Sequence, residues 1–263
     1  MTNSKIFFTL ACILTCVFMS STASAIGFEM SVGAWNQSPS GDISYKALSP
    51  GQDSLSIKDN LEYSDKTKVF ARVKIDTLMG LPNIYLMATP MEFSGRGSKN
   101  GTFTFGNITF NGSVPFTSEL KLDHYDIGLY YGIPGLKMLT VGTLNVDLGL
   151  DARIINFNAR ITGTDSINSR IITQSESFVT AIPMLYLGIQ VRPVKLIAFE
   201  GEARVLTYAG NHYYDYIGRV KLKPLGPVFA AAGYRHEDVS IDANDVKADV
   251  KFGGPFGEIG VEF

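Results

Sequence analysis

Between residues 144 and 154 every second position is apolar: Leu144, Val146, Leu148, Leu150, Ala152 and Ile154 alternate with Asn145, Asp147, Gly149, Asp151 and Arg153. Side chains of an extended chain point alternately to its two faces, so this spacing predicts a strand with one oily and one polar face. A helix would scatter the same residues around its circumference. A half-exposed strand of a soluble domain has no need of so long an unbroken stripe. The oily face is therefore expected to meet an apolar medium along its whole length.

The same period recurs along the chain. Ile26, Phe28, Met30, Val32 and Ala34 alternate with Gly27, Glu29, Ser31, Gly33 and Trp35, and Val69, Ala71, Val73 and Ile75 alternate with Phe70, Arg72, Lys74 and Asp76. A third strand, 84–93, is apolar on both parities, so the sequence does not assign its faces. In the fourth, Tyr125, Ile127, Leu129 and Tyr131 oppose His124, Asp126, Gly128 and Tyr130. Residues 178–192 are very apolar, but Pro183, Gly188 and the β-branched residues disfavour a helix, and the run is shorter than a helical membrane span. It reads as a sixth strand, after the one over 144–154, with Val179, Ala181, Leu185, Leu187, Ile189 and Val191 on one face. Next, Ile197, Phe199, Gly201, Ala203 and Val205 alternate with Ala198, Glu200, Glu202 and Arg204. Tyr214, Tyr216, Gly218, Val220 and Leu222 then alternate with Tyr213, Asp215, Ile217, Arg219 and Lys221. A ninth strand covers 228–236. The tenth ends the sequence, with Ile259, Val261 and Phe263 on one face and Glu258 and Glu262 on the other.

Between these strands lie two kinds of connection. Stretches rich in Ser, Gly, Asn and Asp at 36–65, 94–118, 162–177, 208–212 and 237–244 read as loops, and short Pro-containing turns occupy 80–83, 132–137, 192–195 and 224–227. The two kinds alternate strictly. One end of the sheet is thus expected to carry all the long loops and the other all the tight turns.

Lys5, an apolar run over 6–19 and the small-residue site Ala23-Ser24-Ala25 predict a Sec signal peptide over 1–25, leaving a single domain over 26–263. Cys12 and Cys16, the only cysteines, fall inside the leader, and Thr9-Leu10-Ala11-Cys12 lacks the usual Leu at the first position of a lipoprotein site and comes too early in the apolar run. No disulfide framework or thiolate metal site is expected in the domain. Charges are dispersed, with a formal net of −2, which gives no footprint for nucleic acid. Phosphate loops, nucleophile elbows and dinucleotide motifs are absent from the sequence, and no cofactor is expected.

The signal peptide, the loop alternation and the closing Ile259-x-Val261-x-Phe263 together resemble small bacterial outer-membrane β-barrel proteins. This resemblance implies an all-β fold: an antiparallel transmembrane β-barrel in the outer membrane of a Gram-negative cell envelope. Ten strands is the count the pattern favours, with eight or twelve as the neighbouring even numbers. It implies outer-membrane lipid as the medium around the oily face, and the barrel-assembly machinery as a partner that reads Phe263, Val261 and Ile259. A soluble sandwich would need its oily faces to meet in one core and gives no reason for the loop asymmetry. Tyr130 and Tyr131 near one end, and Tyr208, Tyr213, Tyr214 and Tyr216 near the other, are expected to form interfacial girdles.

On this reading the polar parity lines the lumen. The candidate lumen network is Arg72, Lys74, Asp76, Asp147, Asp151, Arg153, Glu200, Glu202, Arg204, Arg219, Lys221, Glu258 and Glu262, with Glu29, Asp126, Arg192, Asp215 and Arg235 beside them. Acids and bases nearly balance, which suits internal ion pairing better than a strongly ion-selective pore. The expected role is non-enzymatic, structural or porin-like passive transport of a small solute that the sequence does not identify. Two alternatives stand. One is a protease-like outer-membrane enzyme with a His/Asp site at the extracellular rim, where His124, His212 and His236 lie near Asp123, Asp126, Asp215 and Asp238. The other is an adhesion or receptor protein acting through its long outer loops. No residue is assigned a catalytic, cofactor-binding or metal-binding role, since the histidines lack ligand spacing.

Deleting Phe263, or replacing it with a charged residue, is expected to lower outer-membrane insertion sharply. Membrane yield and heat-modifiable electrophoretic mobility measure this, and an unchanged yield would remove the assembly-signal reading.

Overall fold

The computed structural model describes residues 27–49, 51–78, 80–243 and 245–263. The signal peptide expected over 1–25, with Cys12 and Cys16, and Ile26, the expected first residue of the domain, lie outside these residues. The strands are β1 (Gly27–Tyr45), β2 (Leu55–Ser56), β3 (Lys66–Asp76), β4 (Asn83–Thr89), β5 (Glu92–Gly97), β6 (Thr102–Phe105), β7 (Ile108–Asn111), β8 (Phe116–Gly132), β9 (Leu144–Thr164), β10 (Ile171–Val194), β11 (Ile197–Tyr208), β12 (Asn211–Leu225), β13 (Val228–Ala243) and β14 (Val246–Glu262), with one short helix, α1 (Leu136–Leu139).

Hydrocarbon offers no hydrogen-bond partner to a sheet edge, so a membrane-spanning sheet must close on itself. This sheet does. Each strand pairs antiparallel with its sequence neighbour in the wall, and β14 returns to pair with β1, giving a closed barrel of ten strands in which β4 and β5 together form the third. The seam runs from Glu29 opposite Glu262 to Tyr45 opposite Val246. Phe263 finishes it: its N–H donates to the Phe28 carbonyl at 2.9 Å.

All ten strands occur where the sequence places them, the third divided into β4 and β5, but many run past the ends of their apolar stripes. β9 and β10 stay paired up to Thr164 opposite Ile171, so only 165–170 remains of the polar stretch 162–177. β1 continues into 36–45 and β13 to Ala243, and the stretch 94–118 contains β5 and the β6–β7 hairpin. Polar composition was the only signal for a loop in these stretches. Beyond the bilayer a closed sheet keeps pairing whatever its side chains are. The loop-length asymmetry is correspondingly reduced, since the turn 133–143, which holds α1, is longer than the loop 165–170.

Where the strands leave the apolar belt, their faces exchange polarity. On β9 the outward residues Leu148 and Leu150 are 52% and 65% exposed, while Asp151 and Arg153 point inward and are buried. Above Ile154 the outward positions become Asn156, Asn158 and Arg160. The inward ones become Ile155, Phe157, Ala159 and Ile161. β8 turns over at the same height, with Ile127 and Tyr125 giving way to Asp123 and Lys121 outside, and Asp126 and His124 to Leu120 and Phe116 inside. The lower barrel is therefore oily outside and charged inside, whereas the upper barrel is built like a water-soluble domain.

That upper core is completed by the loop after β1. Leu55, Ile57, Leu61 and Tyr63 are buried, Tyr63 stacks on Phe93, and Phe93 stacks on Phe252 of β14. The loop lies so close to β5 that a Cβ at Gly95 would sit 2.0 Å from the Leu61 carbonyl oxygen, and one at Gly97 would sit 1.9 Å from that of Asn60. Buried Asp53 ties the loop to the β6–β7 hairpin, accepting from the N–H groups of Leu48 and Ser49 at 2.8 Å and of Thr104 at 2.7 Å. Phe103 packs on Phe110 within that hairpin and on Phe116 at the start of β8.

The tyrosine girdles need correcting. Tyr131, Tyr208, Tyr214 and Tyr216 lie outward or at the surface, but Tyr130 and Tyr213 are buried on the inward parity, where their hydroxyls donate to Asp76 and Glu237. Nearness to a strand end does not distinguish inside from outside; parity does.

The exchange of polarity sets an expectation for outward residues of one strand. Leu148→Arg should destabilise the barrel by about 2–4 kcal/mol, because the charge enters the apolar belt. Asn158→Arg, on the same face above the belt, should cost less than about 0.5 kcal/mol. Reversible denaturant unfolding in lipid vesicles measures both.

Candidate functional site in the lumen

Two residues apart on a strand means the same face, so the inward parity of strands all round the wall delivers its charges to one volume. β3 supplies Arg72 and Lys74, β8 supplies Asp126, β9 supplies Asp147, Asp151 and Arg153, and β11 supplies Glu200, Glu202 and Arg204. β12 adds Asp215, Arg219 and Lys221, β13 adds Arg235 and Glu237, and β14 adds Glu258 and Glu262. Arg153 and Arg204 have no exposed surface, and most of the others are nearly as buried. An isolated charge there would be prohibitively costly, so each needs partners.

The partners form two connected groups. Nearer the tight-turn end, Lys221 Nζ lies 2.6 Å from Glu29, 2.8 Å from Glu200 and 2.9 Å from Glu262, and Arg192 reaches Glu262 at 2.8 Å. Arg219 donates to Glu200, Glu29 and Glu258. Arg72 donates to Glu258 at 2.7 Å and Glu202 at 3.1 Å, and Lys74 Nζ is 2.8 Å from Glu202. Nearer the loop end, Arg153 grips both oxygens of Asp126, at 2.6 and 3.1 Å, and reaches Asp215 at 2.5 Å. Arg235 donates to both oxygens of Asp215 and lies 2.7 Å from Glu237. Arg204 joins the groups, donating to Glu202 at 3.1 Å while another of its nitrogens lies 3.6 Å from Asp215. Aromatic faces cover the guanidinium groups: Tyr85 under Arg204, Tyr213 under Arg153 and Trp35 under Arg235, at 4.4 to 4.8 Å.

These contacts cross the barrel. β9 and β12 are separated in the wall by β10 and β11, yet Arg153 and Asp215 meet, and Arg72 of β3 meets Glu202 of β11. The lumen is therefore occupied by its own side chains. At the tight-turn end a cavity of about 210 Å³ remains, lined by Lys74, Asp76, Asp147, Gln190, Arg192 and Glu262. Deeper voids shrink to about 10 Å³ beside Trp35 and Arg235 and about 30 Å³ beside Phe157. Voids of that size hold at most a water molecule or so.

Not every expected member joins the ion pairs. Asp76 accepts from the Tyr130 hydroxyl and Asp147 from the Asn145 amide, and both line the cavity instead. Asp151 is buried with Arg204 only at 4.0 Å. Other members were not legible as such. Strand 84–93 had no assigned face, but Tyr85, Met87 and Thr89 point inward, with Tyr85 donating to Glu202 and Thr89 accepting from Arg235. Glu237 opens a stretch, 237–244, whose polar composition predicts a loop. The alternation of Arg235, Glu237, Val239 and Ile241 with His236, Asp238, Ser240 and Asp242 carries the signal that it continues the strand inward.

The three histidines do not converge. His124 is buried inside, with Nε2 3.1 Å from Arg235 and 3.4 Å from Glu237. His212 and His236 lie on the outward parity, where His212 stacks on Tyr214 and sits 3.4 Å from Asp238. Among the described residues no group of three or more His, Cys, Asp or Glu is placed to hold a metal ion. Ile259, Val261 and Phe263 lie on the outward parity of the seam, Ile259 and Phe263 well exposed.

No family model and no curated protein sequence matches the chain. Among solved structures it is similar to the outer membrane protease OmpT from Escherichia coli, with a TM-score of 0.55 and 9% identity over 93% of this chain and 100% of that one. The fold is that of the outer-membrane β-barrels. Weaker likenesses are to the translocator domain of the autotransporter NalP from Neisseria meningitidis (TM-score 0.45, 12% identity, 99% and 95% covered) and to Ail, the attachment invasion locus protein of Yersinia pestis (TM-score 0.34, 8% identity, 91% and 100% covered). At these identities the likeness concerns the barrel alone and carries no residue roles.

The barrel's dependence on its lumen is measurable. Asp215→Ala strips Arg153 and Arg235 of a shared carboxylate and should destabilise by about 3–5 kcal/mol, the cost of leaving buried charge uncompensated. Lys68→Ala breaks only the half-exposed pair with Glu92 and should cost less than about 1 kcal/mol. Denaturant unfolding of the two variants in one lipid tests the contrast.

Proposed function

We propose that this protein is an integral outer-membrane barrel with a closed lumen, non-enzymatic and structural, which holds a folded β extension above the bilayer. The observation that carries this reading is the ion-paired lumen, in which Arg153 and Asp215 meet across the barrel with Arg204 and Arg235 beside them. A passive pore needs a water-filled path, and ion-paired side chains packed across the bore leave little room for one. Between the two roles expected from sequence, structural support is thus favoured over passive transport. Placement in the outer membrane is supported by the apolar belt and the closed sheet, and the leader expected over 1–25 agrees with it. The long-loop end would face outward and the tight-turn end the periplasm.

A protease-like reading has less support. Its histidines are divided between the two faces of the wall, and His124, the one facing inward, is engaged by Arg235 and Glu237 away from the rim.

Two measurements test the proposal. The refolded protein in planar bilayers should show no stepwise conductance, and well-resolved channel steps would restore the transport reading. Single cysteines at Asn100 and Asn168, both exposed, should be labelled by an impermeant maleimide on intact cells, whereas those at Leu81 and Met138 should be labelled only after lysis. The reverse pattern would invert the orientation.

A further inference from the structure

β9 pairs with β10 along its whole length, from Thr164 opposite Ile171 to Leu144 opposite Val191. The other edge of β10 is paired only below its midpoint. β11 joins it from Leu185 downward and turns back at Ala209 and Gly210. Among the described residues no main-chain hydrogen bond reaches positions 171–184 from that side. In an antiparallel ladder alternate residues direct both N–H and C=O to each side, so this edge presents a row of free donors and acceptors. Pro183, which has no N–H to offer, stands where the pairing stops.

The gap is wide as well as unpaired. Since β11 and β12 form the short hairpin below it, the outer wall is open between β10 and β13 over three strand spacings, roughly 14 Å. Across the gap the protruding end of β13 is capped, because the Asn211 side chain accepts from the Asp242 N–H at 2.5 Å. The edge of β10 has no such cap. It also lacks the usual guards of a sheet edge: residues 171–182 contain no Lys, Arg or Pro, and Ile171 and Val179 are 82% and 70% exposed.

We propose that the β10 edge above Pro183 is a docking site for an extended segment of another polypeptide, which adds to it as a strand. A row of donors and acceptors at peptide spacing is matched by another extended main chain. Side-chain chemistry narrows the partner. Glu176, the single charge between 171 and 182, faces inward and accepts from Tyr45 at 3.0 Å, so the partner's inward residue beside it is neutral or basic. The outward positions beside Ile171 and Val179 take β-branched or other apolar residues. A second copy fits worse. Two barrels inserted in one membrane run their β10 strands in the same direction, and the parallel pairing then sets Glu176 close to Glu176.

This inference rests on the proposed orientation that places the long-loop end outside the cell, which labelling at Asn168 tests by itself. The docking test uses the full protein in lipid nanodiscs, amide hydrogen exchange read by mass spectrometry, and the synthetic peptide Thr-Val-Thr-Val-Thr-Lys-Thr-Val-Thr-Val-Thr-Val as probe. Without peptide, about half of the amides in 171–182 should exchange freely. Saturating peptide should slow these about tenfold or more, leave 144–154 unchanged, and lose its effect when N-methylated throughout. The proposal is overturned if the peptide gives no protection, if the N-methylated peptide protects equally, or if the edge is already protected in the free protein. Protection that grows with protein concentration would overturn it in favour of a second copy. Absence of protection in a protein whose Asn168 cysteine is labelled from outside would sink the docking proposal and leave the orientation standing.

Discussion

The barrel depends on charge neutralisation inside its bore. Asp215 lies within ion-pairing distance of Arg153, Arg204 and Arg235, and Glu258 receives Arg72 and Arg219 while Ser31 donates to it. These groups have left water, so their mutual attraction offsets a desolvation cost of several kcal/mol per ion. The wall strands are held from outside by lipid contact and from inside by these pairs. Since the pairs join strands that are not neighbours, they also fix the cross-section, which ladder hydrogen bonds alone do not.

Ionic side chains do something here that apolar ones would not. In hydrocarbon the outward face is necessarily oily, and if the inward face were oily too, a strand shifted by one residue would expose an equally acceptable face to the lipid. Glu200, Glu202 and Arg204 make such a slip on β11 very costly, because it would turn all three toward lipid. Buried ion pairs contribute little net stability compared with well-packed apolar groups, but here they specify register and inside from outside. Above the belt the logic reverses. Outward Asn156, Asn158 and Arg160 meet water, and inward Ile155, Phe157 and Ile161 belong to the same apolar core as Leu55, Ile57 and Leu61. One strand thus satisfies two solvents by changing, at Ile154 and Ile155, which parity is apolar.

Period two made the strands, their order and the inward face of most of them readable from sequence, because hydrocarbon imposes that alternation and the charged parity marks the lumen. What could not be read arose from the second solvent. Past Ile154 the stripe changes parity, so 162–177 presents a polar composition that a loop and a water-facing strand share. Tyr85 and Met87 escaped assignment because an aromatic or thioether side chain serves against lipid and against guanidinium groups alike; Tyr85 supports Arg204 with its ring and Glu202 with its hydroxyl. The partners of each charge were also beyond sequence. Asp147 and Asp151 sit four residues apart on one face of β9, yet one lines the open cavity and the other is buried beside the network, a difference set by which strands stand opposite.

The upper barrel resolves the problem that its own height creates. Strands extended past the bilayer gain no stabilisation from lipid, and each added residue pair must be held by a core or by neighbours on both sides. β1, β8, β9 and β14 meet that requirement through the shared apolar core, with Phe93 stacked on Phe252 and Phe103 packed on Phe116. β10 is the exception. Its upper half has β9 on one side, a thin apolar contact through Phe178 on Phe157, and no strand on the other, while β11 and β12 stop below it. A hairpin of that height with one edge open is a poor way to gain stability, and trimming it to the level of Tyr208 would leave the ion-paired lumen intact. What that height does provide is the unpaired edge over 171–182, to which the proposed extended segment would add.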